Sequence, residues 1–218
     1  MRPVDDRDFD AKDFVARGYD RCGNAYNAAR GDLPPPWLTL LFDRLTEGAT
    51  VLDIGCGGGV PVTRALASRY VVTGVDISAR QIERARRNLP HTRFLHGDIM
   101  AQEFPRESLA GVVMIYTLFH LPRREHPLLL SLIHGWLQPG GLLLCTLARA
   151  SEPGYIEDDF CGADMYRSHF DEQEYDQILK LANFRVLETR HVGHGYRDTD
   201  HAPEIHPLVL VEKREISM

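Results

Sequence analysis

The chain has 218 residues, of which 44% are hydrophobic and 26% charged, with a formal net charge of −6. That balance suits one soluble globular domain with a substantial core, and its acidic sign argues against a nucleic-acid partner, whose phosphates call for a basic face. No apolar run approaches the ~20 residues that would span a membrane, the first residues lack the apolar core of a signal peptide, and the four cysteines (Cys22, Cys56, Cys145, Cys161) form no Cys-x-x-Cys pair, so a soluble protein in a reduced, cytoplasmic setting is expected.

Residues 1–31 are polar, with apolar positions at helical spacing: Phe14, Val15 and Tyr19, then Ala25, Tyr26 and Ala29. One or two short helices are expected there, and residues 1–35 read as a helical cap ahead of the main domain, residues 36–218. Leu33-Pro34-Pro35-Pro36 is a stiff break, and a helix is expected over Trp37 to Leu45. Thr50 to Ile54 reads as a buried strand, Val60 to Ser68 as a helix, and Tyr70 to Asp76 as a second strand. Ser78 is a plausible N-cap for a helix to Leu89, with Ile82, Ala85 and Leu89 on one face. Arg80, Arg84, Arg86 and Arg87 on that helix read as a solvated face.

A third strand is expected from Thr92 to His96. Leu109 to Leu118 is a near-continuous apolar run, as for a central parallel strand buried on both faces. A helix carrying Leu128, Leu129, Leu132, Ile133 and Trp136 follows, then a strand from Leu142 to Leu147. Asp171 and Glu174 form a capping box for a helix with Tyr175, Ile178, Leu179 and Ala182 on one side. Phe184 to Val192 and Leu208 to Lys213 are the last strands, joined by a His- and Gly-rich loop. Five β–α alternations and a strand–loop–strand ending predict an α/β fold, a parallel sheet with helices on both faces.

The most informative segment is Asp53-Ile54-Gly55-Cys56-Gly57-Gly58-Gly59, where a strand runs into a glycine turn and then a helix. Glycine lets backbone approach a ligand closely, and the C-terminal edge of a parallel sheet is where nucleotide-type ligands bind. Successive strands deliver Asp53, Asp76 and Asp98 to that edge. A carboxylate at Asp76 can accept both ribose hydroxyls, and Asp98 stands where a purine would lie. The spacing is Gly-x-Gly-x-Gly, with Val60 in place of the third fingerprint glycine of dinucleotide folds, which suggests a ligand with no pyrophosphate to cradle.

These residues resemble class I S-adenosylmethionine-dependent methyltransferases of the small-molecule type. Their first motif looks like Asp53 to Gly59, their ribose-binding acid matches Asp76, and their adenine-contacting acid matches Asp98. Leu137-Gln138-Pro139-Gly140-Gly141 looks like the turn before their fifth strand. The resemblance implies a single Rossmann-like three-layer sandwich whose mostly parallel seven-stranded sheet ends in an antiparallel hairpin. It also implies S-adenosylmethionine as cofactor and S-adenosylhomocysteine as product, with Tyr26, Asp53, Gly55, Cys56, Gly57, Asp76, Ile77, Gln81, Asp98, Ile99 and Tyr116 as the cofactor-binding set.

Methyl transfer to an oxygen, sulfur or nitrogen nucleophile of a small metabolite is the expected activity. His120, directly after the fourth strand, is the first candidate for an acid–base role, because imidazole titrates near neutrality. Tyr166 and His169, in the stretch that lines the acceptor pocket of such enzymes, are the next. Tyr19 and Tyr26 can form part of a lid. His191, His194, Glu204 and His206, with His201, match no metal-ligand spacing, and no metal is expected. A small-molecule acceptor, no nucleic acid and no membrane are the expected partners, with monomer and homodimer both open. The alternatives are an S-adenosylmethionine-binding protein with other chemistry, or a catalytically idle partner subunit. A nicotinamide oxidoreductase is opposed by the missing glycine and the lack of a Tyr-x-x-x-Lys pair.

Overall fold

A computed structural model describes residues 1–5, 9–193 and 204–214. In it the strands β2 (Thr50–Ile54), β3 (Val71–Asp76), β4 (Arg93–His96), β5 (Leu109–Met114), β6 (Leu137–Thr146), β9 (Phe184–Gly193) and β10 (Ile205–Lys213) form one sheet in the order β4-β3-β2-β5-β6-β10-β9. The first five are mutually parallel, and β10 runs antiparallel to both β6 and β9. The expected seven-stranded sheet with an antiparallel close is therefore present.

The apolar strands read as continuous runs because each serves two cores. On β2, Leu52 and Ile54 join one buried cluster while Val51 joins another; on β5, Val112 and Met114 oppose Val113, and Ile115 just beyond the strand joins Val113. The first cluster packs against α5 (His126–Trp136) and α6 (Glu172–Leu181) through Leu129, Ile133, Tyr175 and Leu179. The second packs against α2 (Thr39–Phe42) and α3 (Val62–Ala67) through Leu40, Leu41 and Leu66. Each fully buried aliphatic side chain contributes about 1.5–3 kcal/mol, which is the main force holding the layers together. The expected caps form: the Ser78 hydroxyl accepts from Gln81 N at the start of α4 (Ala79–Asn88), and Asp171 and Glu174 exchange both capping-box bonds.

Several local expectations change. Residues 11–30 form one 20-residue helix, α1 (Ala11–Arg30), rather than short pieces. Its stripe of Ala11, Val15, Gly18 and Cys22 is continuous, so nothing interrupts it. The helix expected to Leu45 ends at Phe42. The strand expected to Leu118 stops at Met114, because Tyr116 adopts φ 55° and turns the chain away. β6 begins at Leu137 rather than Leu142, since Leu137 already pairs with Leu109 across an irregularity in register.

A second sheet was not expected. β1 (Arg2–Pro3), β7 (Glu152–Phe160) and β8 (Ala163–His169) form a three-stranded antiparallel sheet, with α1 packed on β8. Its hairpin turns at Cys161 and Gly162, both at positive φ (53° and 89°), as a two-residue hairpin loop demands. No helix of the described residues is long and apolar enough to cross a membrane.

Candidate active site

A cavity of about 690 Å³ opens at the C-terminal edge of β2, β3, β4 and β5, under α1. Its floor is Gly55, Gly57, Asp76, Ile77, Asp98 and Ile99, and its roof is Lys12, Val15, Tyr19 and Tyr26 of α1. Gln81, Tyr116, Thr117 and His120 close the sides.

The glycine turn folds as its sequence requires. Gly55 has φ 71°, and a Cβ there would collide with the Thr117 side chain. Gly57 has φ 55°, and a Cβ there would meet no protein atom within 4 Å, so it would protrude into open space. The Gly57 N–H donates to Asp76 Oδ2 at 2.8 Å, and the Ser78 N–H donates to Asp76 Oδ1 at 2.9 Å. Burial raises the Asp76 pKa, and these two N–H donors oppose that rise. Asp98 likewise caps, accepting from the Met100 N–H at 2.9 Å while lining the cavity. Capping and facing the cavity are thus compatible duties of one carboxylate.

Asp53 is different. It is buried beneath the glycine turn, accepts a 2.6 Å hydrogen bond from the Thr63 hydroxyl, and is pushed up to about 7 by burial. With Cys56 it borders a smaller recess on the far side of the turn, which also holds Tyr26, Asn27 and Arg30. The Arg30 guanidinium lies 4.6 Å from the Tyr116 ring centroid and donates to the Tyr26 hydroxyl at 3.0 Å.

α1 is fastened over the cavity by polar contacts. Lys12 Nζ lies 2.7 Å from Asp98 Oδ2 and 2.7 Å from Glu125 Oε2. Burial works against its charge, yet these two carboxylates hold the ammonium above its ordinary pKa. Asp20 accepts from the Ser78 hydroxyl at 2.6 Å and from the Arg80 N–H at 3.2 Å, and Arg84 donates to the Gly23 carbonyl at 3.0 Å. The arginines of α4, expected to be merely solvated, therefore help seat α1; Arg86 in turn donates to the Phe94 carbonyl at 3.1 Å. Gln81 Oε1 accepts from Asn27 at 2.8 Å, whereas Gln81 Nε2 is a buried donor with no acceptor among the described residues.

The three acid–base candidates separate. His120 lines the cavity, with Nδ1 2.9 Å from the Tyr166 carbonyl and Nε2 2.9 Å from the Tyr19 hydroxyl. Burial, helped by the charge of Arg167, lowers its pKa to about 3. The neutral ring thus donates from Nδ1 and accepts at Nε2. The Tyr166 ring is fully buried in the apolar cluster under α1, 5.7 Å from Phe9, and the Tyr166 carbonyl lies 2.9 Å from His120 Nδ1. His169 opens instead onto a second cavity beyond Phe119. Among the described residues no group of three or more His, Cys, Asp or Glu side chains is placed to hold a metal. His194 and His201 lie outside the described residues.

The fold has counterparts among solved structures. One is an S-adenosylmethionine-dependent methyltransferase of Methanosarcina mazei, at TM-score 0.70 and 21% identity, covering 84% of this chain and 99% of that one. Residues 51–141 match the methyltransferase domain family. The chain thus carries a segment similar to the methyltransferase domain and has the fold of S-adenosylmethionine-dependent methyltransferases. The same fold, at TM-score 0.69 and 21% identity, occurs in the Burkholderia thailandensis 1,6-didemethyltoxoflavin-N1-methyltransferase, over 94% of this chain and 87% of that one. In sequence, the 27-O-demethylrifamycin SV methyltransferase of Amycolatopsis mediterranei is 36% identical over 135 residues, 56% of this chain and 49% of the relative. The chain thus spans about half the length of that relative.

Proposed function

We propose that this protein transfers a methyl group from S-adenosylmethionine to an oxygen, sulfur or nitrogen nucleophile of a small metabolite, releasing S-adenosylhomocysteine. One observation carries the reading: Asp76, pinned by the Gly57 and Ser78 N–H groups, stands on the cavity floor between the glycine turn and Asp98.

The residues present fit the cofactor. The open space at Gly57 admits a ligand against bare backbone, and the spare Gln81 Nε2 donor lies in the cavity wall. Asp76 serves the ribose hydroxyls, Asp98 the adenine amino edge, and Ile77 and Ile99 the faces of the base. Gly55, Tyr26 and Tyr116 border the methionine portion. Asp53 and Arg30, one acid and one base in the adjoining recess, suit its ammonium and carboxylate.

When bound, the cofactor supplies a sulfonium-borne methyl already activated for displacement. The chain's own share is orientation and exclusion of water, and positioning of this kind can supply about 7–11 kcal/mol of a barrier. α1, in the N-terminal segment, acts as the cap that closes the site. Because the His120 imidazole stays neutral and accepts at Nε2, it orients the Tyr19 hydroxyl toward the reaction space.

Calorimetric titration with S-adenosylmethionine, S-adenosylhomocysteine and NAD is the direct test. Micromolar binding of the two adenosyl sulfur compounds without NAD is the expected result. Absence of binding by ligand-free protein would remove the reading.

A further inference from the structure

The second cavity, of about 940 Å³, is bordered by Phe119, Arg149, Arg167, His169, Glu204 and His206. Arg167 is its unusual member. Arg167 is buried, at 5% exposure, and a buried charge needs strong partners to persist. In the β7–β8 register Arg167 stands opposite Tyr155, so Glu157 is its diagonal neighbour on the same face, and Arg167 Nε donates to Glu157 Oε2 at 2.5 Å. Phe119 and Phe160 lie 4.9 and 5.1 Å from the guanidinium carbon. Its hydrogen bond to Glu157 uses Nε alone; the two terminal nitrogens have no acceptor among the described residues. A guanidinium fork with both terminal amino groups spare, inside a cavity, matches the two oxygens of a carboxylate.

Arg149 and Arg167 line the cavity with Glu204; Arg149 Nε also lies 3.7 Å from Glu172 Oε1, and Glu157 stands on the hairpin behind Arg167. Burial lowers the pKa of His169, whose Nδ1 is held 2.6 Å from the Ala150 carbonyl. The cavity also adjoins the first one. The Phe119 ring on its side lies 5.0 Å from the His120 ring on the other, and His206 lies 5.4 Å from Tyr116.

We propose that this second cavity receives the methyl acceptor, that the acceptor carries a carboxylate, and that Arg167 selects for that carboxylate over neutral isosteres. The proposal rests on the methyl-transfer reading above. A neutral acceptor leaves the fork desolvated and unpaired, which disfavours it in the way that any buried unmatched donor does. Arg167 is a specificity residue here, since it lines the second cavity and is absent from the lining of the first.

The full-length protein is first titrated with S-adenosylhomocysteine, and the saturated complex is then titrated with three acid–amide pairs: benzoate, 4-hydroxybenzoate and 4-hydroxycinnamate, each against its carboxamide. At least one acid is expected to bind about tenfold or more tightly than its amide, as one charge-assisted pair would give. Arg167→Gln should erase that preference while S-adenosylhomocysteine affinity stays within twofold. Arg167→Lys should keep part of it. Glu157→Gln, which frees the guanidinium from its competing carboxylate, should strengthen it. Equal binding of acid and amide, a preference that survives in Arg167→Gln, or no acid bound at millimolar concentration would each overturn the proposal. If S-adenosylhomocysteine fails to bind, the methyl-transfer reading falls by itself, and an Arg167-dependent acid preference would still support the carboxylate site.

Discussion

The Tyr19 hydroxyl lies 2.9 Å from His120 Nε2, joining the cap helix α1 to the turn after β5 across the top of the cavity. The rings meet edge to face at 5.3 Å, and the far nitrogen of His120 is fixed on the Tyr166 carbonyl. With its pKa lowered to about 3 by burial and by Arg167, His120 carries no proton to lose between pH 5 and 8. Turnover should therefore show no inflection near pH 6.5 from this residue. Tyr19→Phe should lower turnover about tenfold or more, the scale of a lost positioning group, and leave S-adenosylhomocysteine affinity nearly intact. Because the two side chains act as one unit, Tyr19→Phe combined with His120→Asn should be no worse than the poorer single variant. Additive losses in steady-state kinetics would break this pairing of roles.

Asp76 accepts N–H bonds from the residues on either side of the cavity floor, Gly57 and Ser78. Asp76→Asn retains the side chain's size and one acceptor oxygen but removes the charge offered to a ribose. S-adenosylhomocysteine binding should weaken by about 1.5–3 kcal/mol, the usual worth of hydrogen bonds to a charged group. An unchanged dissociation constant, with an unchanged melting temperature, would displace the ribose from this carboxylate.

The parts that were legible in the sequence are those in which local chemistry and fold agree. Asp53-Ile54-Gly55 to Gly59 could only be a strand entering a tight turn, and the acids at 76 and 98 follow from strand ends set by apolar alternation. What α1 lays over that edge was less legible. Tyr19 and Tyr26 are legible through the resemblance, as lid residues on a preceding helix, but Lys12, Val15 and Arg30 reach the site because the helix packs there, a tertiary fact with no local signal. The β7–β8 hairpin escaped notice because its strands carry Glu152, Glu157, Asp158 and Asp164 instead of an alternating apolar face, leaving Cys161-Gly162 as the turn signal. Tyr166, a candidate by resemblance, packs its ring in the apolar cluster under α1, whereas its neighbour Arg167 faces the second cavity.

Lys12 bridges Asp98 and Glu125 at 2.7 Å each, and its side chain is 24% exposed. Lys12→Met leaves two carboxylates facing each other without their shared cation. Hydrogen exchange of α1 amides should then speed up, corresponding to about 1–2 kcal/mol less opening free energy. S-adenosylhomocysteine should also dissociate faster from the variant. Unaltered exchange in residues 11–30 would mean that the contacts of Asp20 and Arg84 alone hold the cap.

Asp53 supplies a stability test that needs no ligand. Its folded pKa is raised to about 7 by burial, from an ordinary value of 3.8, with Thr63 opposing the rise. The folded state therefore holds a proton that the unfolded state releases across that window. Stability owed to the protonated carboxyl is fully present below about pH 4 and is lost as pH climbs through about 7. Asp53→Asn keeps an acceptor for the Thr63 hydroxyl and cannot ionise, so it escapes that loss. The variant should match or trail the parent at pH 4 and exceed it at pH 8, by an order of ~3–4 kcal/mol from the shift alone. Melting temperatures taken at half-unit pH steps read this directly, and parallel curves for the two proteins would show that Asp53 ionises freely in the fold.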